Sequence, residues 1–207
     1  MMTGDIIIYK IIELSGVFMW TISGIRHASA KDFDMFGAYV CGFSVALGGG
    51  TIRDILLGVP VFWLSSTYYV YVTFIAFFFL LFFRHHIKWI ENSWLVFDTV
   101  GLALFVIAGV DKTMHVNGED CGMLIPVMMG CITGVAGGVI RDMFLNEEPL
   151  IFRKEIYALP TIMGGIIYYL GVRYVFDDVL WPSIISFVLI CLIRFVVIYK
   201  QWNLPKF

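Results

Sequence analysis

The chain has 207 residues, of which 60% are hydrophobic and only 14% charged, and its formal net charge is −2. A soluble domain carries about 25% charged residues, so a soluble globular protein is excluded, and the near-neutral balance offers no footing for nucleic acid. Several apolar stretches reach the ~20 residues that cross a bilayer, which predicts one all-helical transmembrane domain over residues 1–207.

The start, MMTGDIIIYK, is acidic before its first apolar run and does not read as a cleavable signal. Hydropathy predicts a first span over about residues 6–25, followed by a polar turn with Arg26, His27, Lys31, Asp32 and Asp34. The second span, about 35–58, contains LGGGTIRDILLGVP and stops at Pro60; the third, about 67–83, is aromatic and is closed by Arg84, His85, His86 and Lys88. A fourth, about 94–110, leads into the longest polar loop, with Asp111, Lys112, Asn117, Glu119 and Asp120. The fifth, about 122–145, carries VAGGVIRD and ends at Glu147, Glu148 and Pro149. Arg153, Lys154 and Glu155 precede a sixth span over about 156–172, and Arg173, Asp177 and Asp178 precede a seventh over about 180–198.

The chain repeats itself. GVFMWTISG (Gly16 to Gly24) matches GLALFVIAG (Gly101 to Gly109) at an offset of 85, and Glu13 falls opposite Asp98. The glycine-rich stretches match at 88. Each copy, about residues 6–83 and 94–172, holds three spans, and an odd number forces the copies to insert in opposite directions. The seventh span stands outside the repeat. Arg26, Lys31, Arg84, Lys88, Arg153, Lys154, Lys200 and Lys206 fall on one side, against Lys10, Lys112 and Arg173 on the other. The richer side is expected to be cytoplasmic, giving an outside N-terminus and a cytoplasmic C-terminus.

The candidate site is the doubled element Gly48, Gly49, Gly50, Arg53 and Asp54, repeated as Gly137, Gly138, Arg141 and Asp142 with Ala136 for the first glycine and Gly134 just before it. An ionisable group at membrane depth costs at least a few kcal/mol and faces a wet cavity or a partner. The glycines are expected to unwind their helices and free carbonyls that could replace a cation's hydration; close helix packing is the competing account. Neighbours in sequence point to different parts of a helix surface, so the expected pairing is reciprocal, Arg53 with Asp142 and Arg141 with Asp54. Ser44, Thr51 and Thr133 add small polar groups beside the glycines. Glu13 and Asp98 are secondary candidates that interfacial anchoring explains equally well. Arg194, inside the seventh span, is expected to snorkel towards the cytoplasmic surface.

Cys41, Cys121, Cys131 and Cys191 lack paired spacing, and the four histidines lie at segment ends, so no metal, disulfide or cofactor is expected. No GxSxG, HExxH or GxxxxGK[ST] pattern is present, and an enzyme is not expected.

Paired GGGxxRD and AGGxxRD elements in two three-span repeats plus a seventh span resemble the prokaryotic trimeric intracellular cation (TRIC) channels. The resemblance implies seven helices in two inverted three-helix repeats plus one, with the second and fifth helices kinked at Gly48 to Gly50 and Ala136 to Gly138. It implies a homotrimer in membrane lipid, one pore per protomer, and monovalent cations, chiefly potassium, as the permeant species. Related bacterial proteins with the same motif are associated with glycine transport. A secondary transporter of a small solute such as glycine is therefore the alternative, with a carboxylate meeting Arg and an ammonium meeting Asp.

Overall fold

The computed structural model describes residues 3–83, 94–118, 122–152, 157–200 and 202. The helices in chain order are α1 (Thr3–Ser29), α2 (Met35–Leu56), a short α3 (Phe62–Ser65), α4 (Tyr68–Phe83), α5 (Trp94–Asn117), α6 (Leu124–Phe144), α7 (Ala158–Leu170) and α8 (Leu180–Lys200); a π-helical turn, Gly171–Val175, prolongs α7. The protein is thus an all-helical, multi-pass membrane protein. Five of its helices, α1, α2, α5, α6 and α8, are long and apolar enough to cross a bilayer, and the apolar α4 has 16 residues. The flanks Arg84 to Lys88, Glu119, Asp120, Cys121, Arg153 to Glu155 and Lys206 lie outside the described residues.

Local chemistry sets the helix ends. Asp34 caps α2, its Oδ1 accepting the Gly37 N–H at 2.6 Å. α2 stops at Gly58 (φ +66°) and α6 at Asn146 (φ +53°), residues that tolerate the left-handed turn closing a helix. These two positions are 88 apart, so the repeat reaches into the caps. α5 runs seven residues past the predicted boundary, to Asn117, and takes Asp111 and Lys112 out of the expected loop into the helix.

The largest helix interfaces are α1–α2, α5–α6, α1–α5 and α2–α6, so these four helices form the centre. α4 packs on α1, α7 on α5 and α6, and α8 on α7 and α5. Glycines set the crossings. A Cβ on Gly24 would lie 2.7 Å from Gly42 Cα between α1 and α2; one on Gly109 would lie 2.8 Å from Gly130 Cα between α5 and α6. Between α2 and α6, a Cβ on Gly49 would overlap the Thr133 carbonyl, and one on Gly137 would meet the Val45 carbonyl at 2.5 Å and the Trp20 ring. Residues 45 and 49 thus face 137 and 133, and the two helices run antiparallel.

The expected unwinding does not occur: α2 and α6 remain helical through Gly48 to Gly50 and through Gly134, Gly137 and Gly138. Backbones that approach this closely keep their own hydrogen bonds and gain dispersion contacts, as small residues permit in membrane helices.

Candidate functional site: two buried charge clusters

The Arg-Asp pairs follow the central crossing on helices running in opposite directions. Arg53 and Arg141 lie four residues beyond Gly49 and Gly137, about 6 Å along each helix. The pairs therefore diverge towards opposite ends of the crossing, and the reciprocal pairing Arg53–Asp142 and Arg141–Asp54 is not formed. Each arginine instead folds back on its neighbour. Arg53 Nε donates to Asp54 Oδ1 at 2.7 Å, and Arg141 Nε to Asp142 Oδ1 at 2.8 Å. The arginine stem is long enough to span the angular separation of adjacent residues.

The first helix of each repeat supplies the second carboxylate. Arg53 Nη2 lies 3.3 Å from Glu13 Oε1, and Arg141 Nη1 lies 2.5 Å from Asp98 Oδ1. Glu13 and Asp98 are buried, at 2% and 0% exposure, and are not interfacial anchors. Tyr69 donates to Glu13 Oε2, and Tyr157, at the equivalent position 88 residues later, donates to Asp98 Oδ2. The outer oxygens of the aspartates cap the next segment: Asp54 Oδ2 accepts Phe62 N–H at 2.8 Å, and Asp142 Oδ2 accepts Leu150 N–H at 2.9 Å. Buried acceptors this well bonded form a rigid set.

Each cluster holds a second cation. Lys112 reaches from α5 across the repeat boundary to Asp54 Oδ1, 2.8 Å away. Arg194 does not snorkel: it is fully buried, its Nη2 is 3.9 Å from Asp98 Oδ2, and its guanidinium stands 4.4 Å over the Tyr157 ring. Among the described residues, two carboxylates and two cations thus meet in each cluster, an arrangement that lets charge sit in a low-dielectric interior.

The first cluster opens on a cavity of about 510 Å³, lined in part by Tyr9, Glu13, Phe62, Tyr69, Asp111 and Lys112. Asp111 there accepts from the Tyr168 hydroxyl at 2.6 Å and lies 3.3 Å from His115. Beside the second cluster, His27 Nε2 is 3.4 Å from Glu147, which Lys31 also contacts at 2.7 Å.

Not all expected site residues join these clusters. Ser44, Gly48 and Thr51 line a separate groove of about 280 Å³ with Trp63 and Ile140. Thr51 and Thr133 donate to their own helices, to Leu47 O and Met129 O, the local bond such residues favour. Gly50 faces the Phe62 ring, Gly134 faces α5, and Gly138 lies by the Tyr157 hydroxyl. Lys112, Arg194, Tyr69 and Tyr157 join the site only in the structure; the two tyrosines share the 88-residue offset of the arginines, a signal the sequence does carry.

Fold and site together define an internally duplicated membrane protein with a charged cluster in each half. The family profile described as "Glycine transporter" matches residues 10–85 and again 95–173, and the chain belongs to that family. It is 38% identical over 202 residues to the UPF0126 inner membrane protein YadS of Escherichia coli, covering 95% of this chain and 94% of that one. Among solved structures it is similar to the TRIC trimeric intracellular cation channel orthologue from Rhodobacter sphaeroides: TM-score 0.85, 29% identity, 94% of this chain and 98% of that one. A second match, described as the structural basis for conductance through TRIC cation channels, has TM-score 0.81 and 33% identity, with 96% of each chain covered. The protein is a structural homologue of the prokaryotic TRIC cation channels.

Proposed function

We propose that the protein is a channel for monovalent cations, chiefly potassium, whose path runs between the two repeats from one charge cluster to the other. The observation that carries this reading is the charge balance of the clusters. An arginine in a cation path is a barrier unless neutralised, and here Arg53 and Arg141 each face two carboxylates. Residues 1–207 act as one transmembrane unit in the inner membrane, with the N-terminus outside and the C-terminus cytoplasmic. Three copies associate, each with its own pore. Arg53, Asp54, Arg141 and Asp142, backed by Glu13 and Asp98, bound the path, and the glycine crossing is its narrowest part. No enzymatic step is involved.

A second reading, a transporter of glycine, is favoured by one specific feature. Arg53 Nη1 and Arg141 Nη2 are buried and make no hydrogen bond among the described residues, so each has an N–H left to donate to a carboxylate, while Asp54 could accept from an ammonium.

Purified protein in a planar bilayer under a potassium gradient is expected to give unitary currents reversing near the potassium equilibrium potential. Silence there, with glycine uptake in vesicles, would overturn the channel in favour of the transporter. Detergent-corrected mass should come to three times 23.6 kDa. Cysteines placed at Asn117 and Lys206 should label from opposite faces of intact cells.

A further inference from the structure

We infer that Arg194, on the helix outside both repeats, is a positioning residue of the permeation site, supplying the fixed charge that keeps the second cluster neutral and sets its selectivity. The inference rests on the proposed permeation path. α8 lies beyond the segments matched by the family profile, which end at residue 173, yet it places a fully buried guanidinium beside Asp98 and over Tyr157. Both of those groups already engage the core of the cluster: Asp98 holds Arg141, and Tyr157 donates to Asp98.

Among the described residues, the second cluster without Arg194 would contain Asp98, Asp142 and a single arginine, a net negative charge buried at one end of the path. The first cluster solves the same problem with Lys112, whose side chain is 20% exposed and borders the large cavity. A lysine is a flexible, hydrated point charge, whereas an arginine stacked on an aromatic ring is planar and held in orientation. The second cluster is accordingly the fixed half of the path and the first the adjustable one. A buried charge at one end of a conduit biases which ions enter and from which side.

The test compares wild type, Arg194→Gln, Arg194→Lys, Asp98→Asn and the double variant Asp98→Asn/Arg194→Gln, reconstituted in planar bilayers under a KCl gradient. Arg194→Gln should raise the potassium-to-chloride permeability ratio several-fold and make the current rectify. Asp98→Asn should shift the ratio the opposite way, the double variant should return towards wild type, and Arg194→Lys should keep the ratio. A ratio and a current–voltage curve unchanged in well-folded Arg194→Gln would overturn the inference, as would shifts of the same sign in Arg194→Gln and Asp98→Asn. If wild type carries no current, the proposed path fails, and thermal unfolding of the purified proteins still decides the charge pairing. The double variant should then lose less than the two single losses added together; strict additivity overturns the pairing.

Discussion

Around Arg53 the second cation is a lysine that hangs from α5 beside a cavity of about 510 Å³; around Arg141 it is an arginine of α8, fully buried and stacked on Tyr157. The two clusters otherwise share a plan down to the backbone amides that cap the aspartates, Phe62 N and Leu150 N, 88 residues apart. The difference lies in the reach of water. Next to solvent a charge is screened and its partner can be exchanged at little cost; in a dry interior the same charge must be matched by fixed groups. Duplication supplied two equal frames, and their surroundings made one of them adaptable and the other rigid.

The comparison is broken most severely by removing the central arginines. Arg141→Leu leaves Asp98 and Asp142 together in a closed site, and a loss of about 3–5 kcal/mol in folding stability is expected. Arg53→Leu should cost less, since Lys112 still faces Asp54 and Glu13 borders the cavity. Denaturation of both purified variants in one detergent checks the order, and equal losses would remove the distinction. Next in size is the crossing. Gly137→Ala drives a methyl group against Trp20 and the Val45 carbonyl, and about 1–3 kcal/mol of overpacking is expected. Permeation should fall with it, measured at matched surface expression. Lys112→Gln should cost about 1–2 kcal/mol, since Asp54 is buried but keeps Arg53 and the Phe62 N–H, and should alter current amplitude, because it removes the adjustable counter-charge of Asp54. Smallest of all is Ser44→Ala, in the side groove, with an expected change within about 0.5 kcal/mol and wild-type permeation; a strong effect on current would move the path to that groove.

Much of the frame was legible in the sequence because it depends on periodicity and composition: the spans, the duplication and the membership of Arg53, Asp54, Arg141 and Asp142. The pairing was not. Angular separation on an ideal helix argues against contact between adjacent residues, but it omits the length of the arginine stem, which lets Nε return to the next carboxylate. Conformational cost alone predicts helix unwinding at the glycines. What decides instead is the partner backbone, the Thr133 carbonyl facing Gly49, which no local reading supplies. Asp111 and Lys112 look like a polar break in the sequence; the helix continues because Asp54 and Tyr168 receive those two side chains. An arginine in an apolar run has a ready default at the membrane surface, and only the fold brings Asp98 and Tyr157 within its reach.

Trp20 and Phe105 occupy the same position in the two copies, 85 residues apart, and their rings meet at 4.7 Å. Each lies over the other copy's glycine: the Trp20 ring over Gly101, the Phe105 ring over Gly16. Equivalent side chains that touch one another must sit astride the pseudo-two-fold axis. Two separate identical chains would have to place the same ring on both sides of that axis, and a pair of indoles would need more room there than an indole with a phenyl. Joining the halves in one polypeptide lifts that restriction. One copy keeps the larger ring, whose Nε1 reaches the Asp98 carbonyl at 3.2 Å, and the other shrinks to fit. A protein assembled from two copies of a single ancestral half would have had to choose one compromise residue for both. Fusion lets the axis itself become asymmetric.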